Sequence, residues 1–100
     1  MKRKIVTVCG SMKFLPLIQE VSERLELEKG YAVIGIIPHV LGRPLTDEEA
    51  DRLSALHRVK IDLADAVFIV NPGGYIGKSV QSEIEYARAA DKEVMFLENH

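Results

Sequence analysis

Two runs of apolar residues limit what this chain can fold into: Lys4-Ile-Val-Thr-Val-Cys9 and Ala66-Val-Phe-Ile-Val70. Neither alternates apolar with polar as a strand with one wet face does, so both read as strands covered on two sides. The segments around them have helical spacing. From Lys13 to Lys29, Leu17, Ile18, Val21, Leu25 and Leu27 recur at roughly helical intervals, Pro16 stands in the first turn and Gly30 ends the run. Tyr31 to Ile37 is a second apolar strand, closed by Pro38. Thr46-Asp-Glu-Glu49 is a capping box. The helix it opens is expected to reach Leu63, with Ala50, Leu53, Leu56, Val59, Ile61 and Leu63 near its buried side. After the third strand come a glycine-rich loop, Asn71 to Gly77, a helix from Ser79 to Ala90 and a fourth strand, Glu93 to Leu97. Strand and helix thus alternate throughout. The pattern predicts an α/β fold: one three-layer α/β/α sandwich around about four parallel strands.

Composition narrows the function. One hundred residues suit a single domain spanning residues 1–100, and 47% hydrophobic with 28% charged residues is globular. A net charge of -2 excludes a general binder of polymeric nucleic acid, so any anionic ligand needs a local site. Cys9 is the single cysteine, which excludes an internal disulfide and a cysteine-rich metal centre. No two histidines stand at ligand spacing, so neither a zinc site nor a cofactor is expected. The stretch from Ala32 to Leu41 is interrupted by Pro38 and His39 and is too short to span a bilayer. The basic start, Lys2-Arg3-Lys4, precedes only a short strand, unlike a secretory signal. A cytoplasmic protein without membrane contact is expected, and so small a core favours a homodimer or higher homo-oligomer.

In a parallel α/β sheet, ligands bind at the carboxyl ends of the strands. That rule selects three loops, Cys9 to Phe14, Pro38 to Leu45 and Asn71 to Ser79. They carry the polar residues Ser11, His39, Arg43, Asn71, Tyr75, Lys78 and Ser79, with Gly10, Gly73, Gly74 and Gly77 permitting close backbone approach. The third loop runs into a helix N-terminus, where free N–H groups attract phosphate or carboxylate, and Lys78 and Ser79 suit an anion there. It has the spacing of neither a P-loop nor a dinucleotide fingerprint. Its plainer reading is a turn with Ser79 as N-cap. One turn into the helix, Glu83 can project toward the same crevice, whereas Glu85 points to another side. His57 and Asp62 bracket the end of the second helix, where Asp62 could equally pair with Arg58. Asp65 opens the third strand and Cys9 reads as a small buried residue.

The order and spacing of four short motifs carry a resemblance. Cys9-Gly10-Ser11-Met12, Ala64-Asp65-Ala66-Val67, Gly73-Gly74-Tyr75-Ile76-Gly77-Lys78-Ser79 and Ser82-Glu83-Ile84-Glu85-Tyr86-Ala87 together resemble the nucleoside 2-deoxyribosyltransferase-like superfamily. Its deoxynucleoside-monophosphate N-glycosidase branch is similar as well. The resemblance covers nearly the whole chain and implies a flavodoxin-like or Rossmann-like sandwich. It implies Glu83, in its Glu-x-x-x-Ala context with Ala87, as the nucleophile on the anomeric carbon of a deoxyribose. Gly10 and Ser11 would contact the sugar or phosphate, Ser79 and Lys78 a 5′ group, and Tyr75 the base, with Asn71, Gly73, Gly74 and Gly77 completing the substrate loop. Two positions depart from the family pattern. Gly77 replaces an acidic residue six places before the nucleophile, and His57 replaces an aspartate upstream of the Ala64-Asp65 pair. The acid partner of Glu83 is then His57 or Asp62. The resemblance implies cleavage or transfer at the N-glycosidic bond of a (deoxy)nucleoside or its 5′-monophosphate. The alternative is a nucleotide-sensing module with the same pocket and no turnover.

Overall fold

The computed structural model describes residues 2–99. The elements run β1 (Ile5–Gly10), a 3-10 turn (Met12–Phe14), α1 (Leu15–Lys29), β2 (Ala32–Ile34), α2 (Asp47–Leu63), β3 (Ala66–Val70), a second 3-10 turn (Pro72–Gly74), α3 (Lys78–Ala89) and β4 (Glu93–Phe96). The strands form one parallel sheet in the order β2-β1-β3-β4. β1 pairs with β3 along five residues, from Val6 opposite Ala66 to Gly10 opposite Val70. These are the two apolar runs, and they occupy the centre of the sheet.

Alternation of side chains along the strands divides the core into two layers. Val6 and Val8 of β1 with Ala66 and Val70 of β3 pack on Ile18, Val21 and Leu25 of α1. Cys9, Val67 and Ile69 face the opposite side, against Ile61 of α2 and Val80, Ile84 and Ala87 of α3. The fold is therefore a three-layer α/β/α sandwich, with α1 on one face and α2 and α3 on the other. No described helix is long and apolar enough to cross a membrane.

Polar anchors fix the crossovers. The buried Thr7 hydroxyl donates to the Lys60 carbonyl at 2.7 Å, tying the last turns of α2 to β1. Asp65 accepts from the Ile5 N–H at 2.8 Å, setting the entry of β3 beside β1. Thr46 and Glu49 form the expected reciprocal capping box at the start of α2.

The structure corrects three local expectations. β2 is only three residues long, because the chain leaves the sheet after Ile34. Of the six apolar residues expected on the buried side of α2, only Ile61 is buried, while Leu53, Leu56, Val59 and Leu63 are 49–65% exposed. The described part of the chain supplies no layer to cover them. Ser79 is not the N-cap of α3: Gly77 holds that position, with no side-chain cap hydrogen bond, and Ser79 lies inside the first turn.

Candidate functional site

β2 and β3 lie on opposite sides of β1. The chain reverses direction across the sheet at that point, and a crevice opens beyond the carboxyl ends of β1 and β3. The groove there has a volume of about 1390 Å³. One wall is polar and comes from Gly10, Ser11, Gly77, Lys78, Ser79, Ser82 and Glu83. The other is largely apolar and comes from α2, residues 36–41 and Leu45. A smaller cleft of about 290 Å³ lies at the opposite end of the sheet, between Lys2, Arg3, Lys4 and Asp65.

Three side chains meet at the floor of the groove. Cys9 is the penultimate residue of β1, His57 projects from α2 and Glu83 from α3. His57 Nε2 is 3.3 Å from Cys9 Sγ and 3.4 Å from Glu83 Oε1. The helical period explains how α3 does this: Val80, Ile84 and Ala87 turn to the sheet, leaving Ser79, Ser82 and Glu83 on an adjacent face toward the groove. Glu85 is on another side, where it accepts from Gln81. His57 is mostly enclosed and Glu83 somewhat less so, with side-chain exposures of 14% and 25%.

One nitrogen of His57 faces both neighbours, which decides what the cluster can do. A nucleophilic Cys-His-carboxylate relay requires the thiol on one ring nitrogen and the carboxylate on the other. Burial, and next the Glu83 carboxylate, push the Cys9 thiol well above its ordinary range. Cys9 is therefore held as a thiol, and a thiol is a poor nucleophile. Of the two groups beside His57, the Glu83 carboxylate is the one that lines the groove.

At the mouth of the groove, α3 begins at Gly77 without a side-chain acceptor for its first-turn N–H groups, and Lys78 stands at its first position. This is a built-in attraction for an anion. Across from it, Ser11 caps the first 3-10 turn, its hydroxyl accepting from the Lys13 N–H. Tyr75 packs edge-on against Phe14 at 5.7 Å between ring centroids, with the Lys13 ammonium 3.7 Å from its ring centre.

Among the residues expected from sequence, Gly10, Ser11, His57, Tyr75, Gly77, Lys78, Ser79 and Glu83 all line the groove. Asp62, Asn71, Gly73 and Gly74 do not. Asp62 faces away and accepts from the Tyr86 hydroxyl at 2.7 Å, while its own carbonyl accepts from Lys92. The Arg58 guanidinium sits over the same Tyr86 ring at 5.3 Å. Asn71 is fully buried and clamps Glu98: its Nδ2 donates to the Glu98 carbonyl and its Oδ1 accepts from the Glu98 N–H. Gly73 and Gly74 have φ of +63° and +80°, which a side chain would strain, and the Gly73 N–H donates to the Glu98 carboxylate. In the described structure the glycine-rich loop is thus shaped by turn geometry and held by the segment after β4. Arg43 is engaged by both Glu49 oxygens at 2.8 Å.

Sequence reasoning missed Ser82 and Ser54, both on the groove wall. Ser82 was legible three residues after Ser79. Ser54 carried no signal. Sequence reasoning paired His57 with Glu83 as one of two acid partners but did not place Cys9, 48 residues before His57 in the chain, beside them. No protein-family model, curated protein or solved structure matches this chain.

Proposed function

We propose that the protein cleaves the N-glycosidic bond of a deoxynucleoside or its 5′-monophosphate, with Glu83 as nucleophile. The observation that carries the reading is the Glu83 carboxylate in the groove, 3.4 Å from His57 Nε2 and on the helix face that leads to the uncapped start of α3. A 5′-phosphate at that helix start, beside Lys78 and Ser79, puts the sugar toward Glu83. The carboxylate attacks C1′, an O–C1′ bond forms and the C1′–N bond breaks with its electron pair on the base. His57 donates the proton the departing base takes, since Asp62 is engaged by Tyr86 on another side. Water then attacks C1′ of the glycosyl-enzyme, losing its proton to His57, and Glu83 is released. A second base in place of water gives transfer instead of hydrolysis.

The resemblance to the deoxyribosyltransferase-like superfamily supports this chemistry, and so do the residues of its motifs that line the groove. The groove also exceeds the roughly 300–1,000 Å³ of small-molecule sites. Its apolar side is uncovered: Ile37, Val40, Leu41, Leu53, Leu56 and Val59 are 49–80% exposed. A second copy of the chain on this face is the partner we propose, giving a homodimer that narrows the site. The single buried thiol suits a reducing compartment, and the cytoplasm is the location we infer.

The test is base release. The protein is incubated with deoxynucleosides, their 5′-monophosphates and the ribose counterparts, and free base is separated by chromatography. Release from a deoxynucleotide that falls to background in Glu83→Gln is expected. Ligand binding by thermal shift with no release from any substrate would replace the enzyme reading with a nucleotide-sensing module.

A further inference from the structure

The same three side chains have a second capacity, independent of any sugar chemistry. Cys9 Sγ, His57 Nε2 and Glu83 supply one ligand atom each, all within 4.8 Å of one another. An ion bound tetrahedrally, with bonds of about 2.0–2.3 Å, holds its sulfur and nitrogen ligands about 3.6 Å apart and its nitrogen and oxygen ligands about 3.3 Å apart. The observed separations are 3.3 Å for sulfur to nitrogen and 3.4 Å for nitrogen to oxygen. Each of these two separations is within a few tenths of an ångström of its tetrahedral value, and the sulfur and carboxylate oxygen, within 4.8 Å of each other, close on the ion as it binds. The feature that spoils a catalytic relay, one imidazole nitrogen facing both sulfur and oxygen, is the feature a metal ion needs.

We propose that the Cys9-His57-Glu83 cluster is a binding site for a thiophilic divalent cation of the zinc type. Thiolate, imidazole and carboxylate are the ligand set zinc accepts, and magnesium or calcium, which take oxygen ligands, are disfavoured. The three ligands come from β1, α2 and α3, elements fixed by the core through Ile61, Val67, Ile69 and Ile84. Core packing closes the site from below, while His57 and Glu83 open upward into the groove. Three protein ligands with one face open is the arrangement of a zinc that keeps an exchangeable fourth position. On binding, the sulfur–metal bond forms as the Cys9 S–H bond breaks, and the proton leaves to solvent.

The ion takes the Glu83 lone pair needed for attack on C1′. The occupied protein is therefore an inhibited form. This inhibition rests on the glycosidase reading, whereas the binding does not.

The experiment titrates the whole protein with Co²⁺ alone and records its absorption. Expected are one equivalent bound, tetrahedral d–d bands, a thiolate-to-cobalt charge-transfer band and displacement of all of them by one equivalent of Zn²⁺. Cys9→Ser should lose the charge-transfer band. His57→Ala should weaken binding by more than the roughly 10–100-fold that outer-shell changes cost. Circular dichroism confirms that each variant is folded. Should Cys9→Ser fail to fold, Glu83→Gln, at a partly exposed position, carries the test through loss of affinity. Absence of a charge-transfer band in the unaltered protein, or its persistence in folded Cys9→Ser, overturns the proposal. So does unchanged affinity in Glu83→Gln. If base is released from a nucleotide, Zn²⁺ at one equivalent should stop it. If no substrate releases base, the glycosidase reading fails and the cobalt spectrum still decides the site.

Discussion

Asn71 offers the sharpest separation of a structural role from a ligand-binding one. The sequence places it at the carboxyl end of β3, where a ligand contact is expected. The structure buries it completely and joins it to Glu98 by two hydrogen bonds, of 3.2 and 3.0 Å. A net contribution of about 1 kcal/mol per bond gives about 2 kcal/mol for the clamp. The neighbouring bond from the Gly73 N–H to the Glu98 carboxylate, at 2.7 Å, depends on the same segment and adds up to about 1 kcal/mol. Asn71→Leu, of similar volume, should therefore destabilise the fold by about 2–3 kcal/mol, a lowering of Tm by about 10–20 °C for a domain of this size. Asn71→Asp distinguishes the donor from the acceptor. Its new carboxyl still accepts from the Glu98 N–H but meets the Glu98 carbonyl with an oxygen. When ionised it is a buried charge with no counter-charge, costing about 3–5 kcal/mol. Burial raises the carboxyl's folded-state pKa above its unfolded value. The variant is then closest to the parent below the unfolded pKa and loses stability as pH rises through the folded one. Urea denaturation at about pH 4 and about pH 7 reads this directly, against the unfolded carboxyl reference of about 3.9. A pH-independent loss is expected for Asn71→Leu and a loss growing with pH for Asn71→Asp. Unchanged melting in Asn71→Leu, with only substrate KM raised, would refute the clamp.

Three further outcomes follow from the same structure. At Gly10 a Cβ would stand 3.0 Å from Ile18 Cδ1 and 3.3 Å from Val70 Cβ, so Gly10→Ala should cost about 1–3 kcal/mol by overpacking, measured by urea denaturation. Glu49 is held at a pKa of about 2, first by the Arg43 guanidinium and then by the Thr46 N–H, against an ordinary 4.5. Its capping contribution is complete above about 4.5 and is lost as pH falls through about 2, and NMR titration of Arg43→Ala should find the carboxyl moved back upward. For the homodimer proposed above, Leu53→Glu with Leu56→Glu, on the exposed face of α2, should reduce the mass measured by light scattering from two protomers to one while leaving the melting of the monomer fold cooperative.

The sheet was legible because its central strands announce themselves. Val6, Val8, Val67 and Ile69 have no polar alternation to compete with burial, and parallel pairing is the arrangement that covers both faces. The capping box at Thr46 and Glu49 was legible for a local reason, since all its atoms lie within one helical turn. Choosing Glu83 over Glu85 needed only the period of α3. What the sequence concealed depends on contacts between distant segments. Asp62 and His57 sit five residues apart on α2, and nothing local says that one turns to Tyr86 and the other to Glu83. The glycine-rich loop looked like a phosphate cradle because glycines at positive φ serve a tight turn and a ligand equally well. Its engagement by Glu98, 25 residues downstream of Gly73, distinguishes the two uses.

α2 joins these lines. Leu53, His57 and Ile61 recur at i, i+4 and i+8, while Leu56, Val59 and Leu63 follow at i, i+3 and i+7 on a neighbouring strip. One helix thus gives Ile61 to the core, His57 to the carboxylate of Glu83 and an exposed apolar strip to the far side of the groove. In the proposed homodimer, a partner covering the outer strip adds to the support that Ile61 and the Thr7–Lys60 hydrogen bond already give α2 beside His57. Association and chemistry are then coupled in one direction. Leu53→Glu with Leu56→Glu should lower base release together with the measured mass, because His57 loses that added support. Glu83→Gln should abolish release with the mass unchanged. Full activity in a protein shown to be monomeric would break that coupling and leave the apolar strip without a role in the site.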